Sequence, residues 1–180
     1  VHTVMANSGE INGIPVHSSR YYLTEILKEE LGFEGFVVSD WEDIERLYTR
    51  DKVAESPKKA VQMAVMAGVD MSMVPYDYSF YELLLELVKE GEVPESRIDD
   101  AVTRILRVKA KLGLFENPFP NQKLKEKVGS KESTQVSLDA AKEAITLLKN
   151  DGMLPLKKGS KILVTGPNAN KLSVLNSGWT

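Results

Sequence analysis

The sequence predicts an α/β fold, with parallel strands flanked by helices. Three observations carry it. Short, β-prone apolar runs alternate with longer segments whose apolar residues recur every three to four positions. The run Gly35-Phe36-Val37-Val38 is apolar and closes on Ser39-Asp40, as a strand buried on both faces does. Glycine or proline punctuates the segment ends. The order over residues 1–112 is β, α, β, α, β, α, α, which indicates a parallel sheet with helices outside. A closed barrel of eight strands takes about 250 residues, so if the sheet belongs to one, this stretch could only be its last part.

His2 to Ala6 reads as a strand that breaks at Asn7-Ser8-Gly9, and Asn12-Gly13-Ile14-Pro15 is turn chemistry. Ser18 or Ser19 caps a helix running to about Glu30, with Tyr22, Leu23, Ile26, Leu27 and Leu31 at helical spacing and Gly32 as its stop. The strand 35–41 follows. Residues 42–55 read as a long polar loop. Ser56 and Pro57 suit an N-cap and first helical position for a helix carrying Ala60, Val61, Ala64, Val65 and Ala67, which ends at Gly68. Val69 to Val74 is a further buried strand, closed by Pro75. Two helices then cover about 79–90 and 95–112. The second lines up Ile98, Val102, Ile105 and Leu112 and terminates at Gly113.

From Asn117 the texture changes. Asn117-Pro118-Phe119-Pro120 cannot continue a helix, and 123–132 is polar and Lys-rich. We divide the chain into 1–117, a linker 118–132, and 133–180 as the start of a second domain. That domain opens with an amphipathic helix from Ser133 to Lys149 and a strand from Lys161 to Thr165.

Composition excludes several function classes. The 180 residues hold 23 Lys and Arg against 26 Asp and Glu, a net charge of −3. A mildly acidic chain without a basic cluster gives nucleic acid no electrostatic footing. No apolar run approaches the ~20 residues of a membrane-spanning helix. Cysteine is absent, which removes disulfides, thiolate metal sites and cysteine nucleophiles. The two histidines, His2 and His17, make no His-rich metal site. No metal and no cofactor is expected. The first residue is Val1, with no charged-then-apolar leader, and either end is read as a boundary within a longer chain.

Ser39-Asp40-Trp41 is the foremost chemical candidate. A carboxylate at the C-terminal tip of a parallel strand lies where α/β enzymes place their chemistry, and an adjacent aromatic can wall the site. Such an Asp can attack a sugar anomeric carbon or stabilise charge; capping of the next helix or loop is the competing role. Asp70 lies inside an apolar strand, where an unpaired charge is costly, so it faces a polar cavity or meets a cation. Met71 and Met73 read as core or cavity lining. His17, just before a helix, reads as structural. Glu42, Asp43, Glu45 and Arg46 read as a solvated helix start with Arg46 paired locally. Trp179, in Ser177-Gly178-Trp179, suits either stacking on a sugar or local packing.

Leu31-Gly32-Phe33-Glu34-Gly35-Phe36-Val37-Val38-Ser39-Asp40-Trp41 resembles the nucleophile segment of glycoside hydrolase family 3. Four further stretches are similar to that family in the same order: 10–15, 67–73, 98–118 and 147–156. The branch it most resembles is the β-glucosidases and exo-acting β-glucan hydrolases. The resemblance implies a TIM-type (β/α)8 barrel followed by an α/β/α sandwich. It implies a retaining double displacement on terminal β-D-glucosyl residues of gluco-oligosaccharides, with Asp40 as nucleophile. Trp41, Arg46, Trp179 and Met73 become substrate-binding candidates, the two tryptophans as opposite walls of one site. A Tyr common in relatives is replaced by Ser8, which removes one expected partner for the nucleophile or sugar. The family's upstream sugar-binding residues and the acid/base Glu fall outside residues 1–180.

Two alternatives stay open: a β-xylosidase or β-N-acetylglucosaminidase of the same family, and a non-catalytic sugar-binding relative. The expected partners are a β-linked oligosaccharide and the remaining segments of the same protein, with a homodimer allowed. The expected location is the periplasm or outside the cell, with the cytoplasm as the alternative.

Overall fold

A computed structural model describes residues 1–176 of the chain. It divides into two compact units, Val1–Pro120 and the residues from Asn121 onward. The first unit holds the sheet and the core.

Strand β1 (Thr3–Met5) pairs in parallel with β4 (Phe36–Val38), in the register Thr3–Phe36, Val4–Val37, Met5–Val38. Gly35 precedes β4 because a Cβ there would collide with the His2 carbonyl of the neighbouring strand. Between them, β2 (Glu10–Ile11) and β3 (Ile14–Pro15) form an antiparallel hairpin. Its two-residue turn, Asn12 and Gly13, has φ of 53° and 76°, the positive pair such tight hairpins require. One 3-10 turn, Val16–Ser18, follows.

The helix expected up to Glu30 forms over Tyr21–Glu30 but is wound as a π-helix, and Leu31 N–H donates to Ile26 O at 2.9 Å. Nothing in the sequence marks that winding. Ser19 Oγ accepts from Tyr22 N–H at 3.4 Å, a weak cap. Thr24 Oγ1 donates to Ala67 O at 2.8 Å, tying this helix to α2 (Pro57–Ala67). Helix α2 begins and ends as the sequence predicts: Ser56 Oγ accepts from Lys59 N–H, Pro57 sits in the first turn, and Gly68 closes it. Its apolar residues Ala60, Val61, Ala64 and Val65 join Val37, Leu47, Leu87 and Val93 in the core.

Residues 42–55 are corrected. They contain helix α1, Asp43–Thr49, which buries Ile44 and Leu47. The dense charge hides a short apolar face that repeats after three residues. Helices α3 (Ser79–Lys89) and α4 (Glu95–Lys111) lie where the periodicity puts them.

The strand expected over 69–74 is also corrected. It shrinks to a single parallel bridge, Val38 to Met71. Side chains take the ladder positions that a longer strand would fill with backbone. Val37 N–H donates to Asp70 Oδ2 at 2.8 Å, and Met73 N–H donates to Ser39 Oγ at 2.8 Å. Three parallel strands thus become one pair and a bridge, in a unit that is mostly helical.

In the second unit, α5 spans Lys131–Ala144 with Ser130 Oγ accepting from Ser133 N–H. It stops before the predicted Lys149, because Ile145 turns to extended backbone. No strand forms over 161–165 among the described residues. Ile162, Leu163 and Val164 have no paired neighbour there and are exposed.

Candidate active site

β4 ends by delivering Ser39, Asp40 and Trp41 to the C-terminal edge of the parallel pair. Asp40 is half-buried, and its backbone is held at both ends. Its N–H donates to His17 Nε2 at 3.1 Å. Its carbonyl accepts from Ser39 Oγ at 2.9 Å and from Asp43 N–H at 3.3 Å. Its own Oδ1 accepts from Trp41 N–H at 2.6 Å. A carboxylate oriented by a charge-assisted bond and anchored at its backbone is a preorganised nucleophile or charge stabiliser.

Trp41 meets Tyr76 edge to face, with ring centroids 6.1 Å apart and planes at 89°. Directly after it, Glu42 adopts a left-handed conformation, φ 60° and ψ 7°, and turns the chain into α1. That conformation is uncommon for a residue with a Cβ, and such strain concentrates at functional sites.

Arg46, on the next turn of α1, donates through Nη1 to Asp43 Oδ1 at 2.7 Å. Asp43 is only 1% exposed. Its Oδ2 is buried without a hydrogen-bond partner among the described residues and lies 3.7 Å from His17 Nδ1. Arg50 Nη1 adds a second cation 3.7 Å from Oδ1. His17 is 2% exposed. Burial pushes its pKa below the usual 6.5, against the pull of the Asp43 and Asp40 carboxylates. The imidazole is therefore neutral, and because Nε2 accepts a hydrogen bond, its proton sits on Nδ1.

Met73 contributes backbone: besides its N–H to Ser39 Oγ, its carbonyl accepts from Glu42 N–H at 3.1 Å. Asp70 is a structural anchor. Its carboxylate has no exposed surface and binds Lys28 Nζ at 2.8 Å and the Arg97 guanidinium as well as Val37 N–H. Burial lowers the Lys28 pKa, and the hydrogen bond that Lys28 donates to Asp70 opposes that shift. Trp179 lies outside the described residues.

The structure thus brings Asp40, Trp41, Met73 and Arg46 into one hydrogen-bonded neighbourhood. Sequence reasoning misses two members of it. Asp43 falls, by sequence, in a solvated charge group; its position beside Ile44 and one turn before Leu47 is the available signal. His17 reads as structural, and no local pattern ties it to Asp40. Among the described residues no cluster of His, Asp and Glu is arranged to hold a metal ion. No helix among them is long and apolar enough to cross a membrane.

Comparison with known proteins decides the family. Residues 1–108 match the Glycosyl hydrolase family 3 N terminal domain. The chain belongs to glycosyl hydrolase family 3. This family 3 chain is 47% identical over 183 residues to the lysosomal beta glucosidase of Dictyostelium discoideum, covering 99% of the chain and 22% of that protein. It is 36% identical over 180 residues to a beta-xylosidase of Formosa agariphila, covering 95% of the chain and 25% of that protein. Among solved structures it is similar to the exo-1,3/1,4-beta-glucanase of a Pseudoalteromonas species, at 37% identity and a TM-score of 0.74, over 93% of the chain and 21% of that protein. The chain spans about a quarter or less of the length of these relatives.

Proposed function

We propose that Asp40 is the nucleophile of an exo-acting, retaining β-glucosidase, of which this chain supplies the nucleophile segment. The observation that carries this reading is the placement of Asp40 at the tip of β4, its N–H held by His17 and its Oδ1 by Trp41. In the first step the Asp40 carboxylate attacks the anomeric carbon of a terminal β-glucosyl residue. A carboxylic acid from another part of the protein protonates the departing oxygen, and a glycosyl ester on Asp40 results. Water, activated by that same second carboxylate, then attacks the anomeric carbon and releases the sugar with its configuration retained. Such a carboxyl pair stands about 5–5.5 Å apart.

Residues 1–117 form the C-terminal part of a (β/α)8 barrel, 118–132 a linker, and 133–180 the beginning of an α/β/α sandwich. Other segments of the same protein complete the barrel. Trp41 walls the sugar site, and Arg46 and Met73 contribute to binding the substrate. The protein acts in the periplasm or outside the cell; similarity to a periplasmic beta-glucosidase of Salmonella typhimurium supports this reading.

The test uses the full-length protein with Asp40→Gly. Hydrolysis of an aryl β-glucoside should fall by several orders of magnitude and partly return with added azide as an external nucleophile. Unchanged turnover would overturn the assignment. The similarity to a beta-xylosidase supports a second reading for the sugar. A higher kcat/KM for the matching aryl β-xyloside would favour it.

A further inference from the structure

We propose that His17 is a positioning residue for Asp40: a neutral imidazole that takes the Asp40 N–H on Nε2 and turns its Nδ1–H toward Asp43. This rests on the reading of Asp40 as the nucleophile.

The sheet explains why such a partner is needed. Along β4 the backbone N–H groups point alternately to the two neighbours. Phe36 N–H goes to His2 O on the β1 side, Val37 N–H to Asp70 on the other, and Ser39 N–H to Met71 O on that same other side. Asp40 N–H therefore points to the β1 side, beyond the last β1 pairing at Met5. The ladder ends at Ala6, whose N–H donates to Val38 O at 2.9 Å; the Ala6 carbonyl, next in register, does not receive the Asp40 N–H. His17 Nε2 takes that place at 3.1 Å. The imidazole comes from the 3-10 turn Val16–Ser18, which the β2–β3 hairpin carries back against the strand end.

An imidazole suits this role only in one protonation state. An acceptor at Nε2 requires the proton on Nδ1, and Nδ1 lies 3.7 Å from the Asp43 carboxylate. Arg46 holds the other oxygen of Asp43 at 2.7 Å. The chain Arg46–Asp43–His17–Asp40 thus runs from a cation on α1 to the backbone of the nucleophile. Protonating His17 would set an N–H against the Asp40 N–H and break the chain at its last link. Asp40, Asp43 and Asp51 favour that proton, while Arg50 and burial oppose it.

The test compares His17→Gln with His17→Asn in the full-length protein. A glutamine amide oxygen falls near the position of Nε2 and can still accept from Asp40. An asparagine amide falls near Nδ1 and can satisfy only the Asp43 side. The readout is the rate at which a 2-fluoro β-glucosyl fluoride labels Asp40 covalently, followed by intact mass, beside the inhibition constant of glucose.

The asparagine variant should be labelled about tenfold more slowly or worse, and the glutamine variant within about threefold of the wild type, since small displacements of a reacting group are costly. Glucose should bind both alike. Wild-type labelling rates in the asparagine variant, or equal slowing in both, would overturn the role of His17. Should the asparagine variant not fold, glutamine decides alone: slowing beyond about tenfold overturns it. Absence of label on Asp40 in the wild type would instead overturn the nucleophile itself, and the role of His17 with it.

Discussion

His17 gives the molecule a pH dependence that no surface group can. Its pKa is lowered by burial from the usual 6.5, so below about that pH the unfolded chain takes up a proton the folded one refuses. The unfolded state then binds more protons, and stability falls as the pH drops. Above 6.5 both states are neutral and the contribution is flat. The Asp43, Asp40 and Asp51 carboxylates soften the effect and Arg50 sharpens it. Between about pH 7 and pH 5 the thermal midpoint of the full-length protein should fall, and His17→Gln should flatten that fall. An identical slope in the variant would contradict this. The residue scale is also the hardest to read from sequence. Asp40 and Trp41 stand out because an apolar run ends on them. The contact between His17 and Asp40 joins positions 23 apart through a backbone amide, which leaves no pattern in the residue types.

Elements are legible where they carry their own start and stop signals. Helix α2 has its Ser-Pro start and glycine end, and α3 and α4 have an apolar stripe with a break on either side. Elements defined by a neighbour are not. The stretch 69–74 has a strand's composition, but its pairing is shared between backbone and the side chains of Asp70 and Ser39. The apolar stretch 161–165 has no neighbour to pair with among the described residues. Helix α1 is hidden by its charges. These readings bear on a stability test. Asp70 is fully buried against Lys28 and the Arg97 guanidinium, whose side chains are 5% and 12% exposed. Asp70→Asn keeps an acceptor for Val37 N–H but leaves two nearly buried cations with only the half-exposed Asp100 carboxylate, 2.8 Å from Arg97 and 3.8 Å from Lys28, as counter-charge. Breaking a buried ion pair in this way costs about 3–5 kcal/mol. The thermal midpoint of the full-length protein should drop, and amides of β4 should lose protection from hydrogen exchange. Unchanged protection would show that the backbone pairs hold β4 without the anchor.

At the scale of the whole molecule, much apolar surface is uncovered. In the first unit, Met5, Val102 and Leu106 are each about half exposed. In the second, Leu148 and Leu163 are 91% and 87% exposed. β1 pairs on one side only among the described residues, and an unpaired strand edge invites association. Residues 1–180 produced alone should therefore aggregate or unfold without a cooperative transition. A sharp thermal transition for an isolated monomer would count against that, and with it against the need for further barrel segments.

The Asp70 side chain also works as an alignment pin. A strand can slide past its neighbour by two residues and keep the same face toward the core, so backbone pairing alone tolerates such a shift. Here the slide would bring Ser72 or Gly68 opposite Val37, and neither offers a carboxylate to its amide or to Lys28 and Arg97. Only one setting of 69–74 against β4 satisfies all three donors at once. That setting fixes how far β4 reaches, and so where along the sheet edge Asp40 emerges.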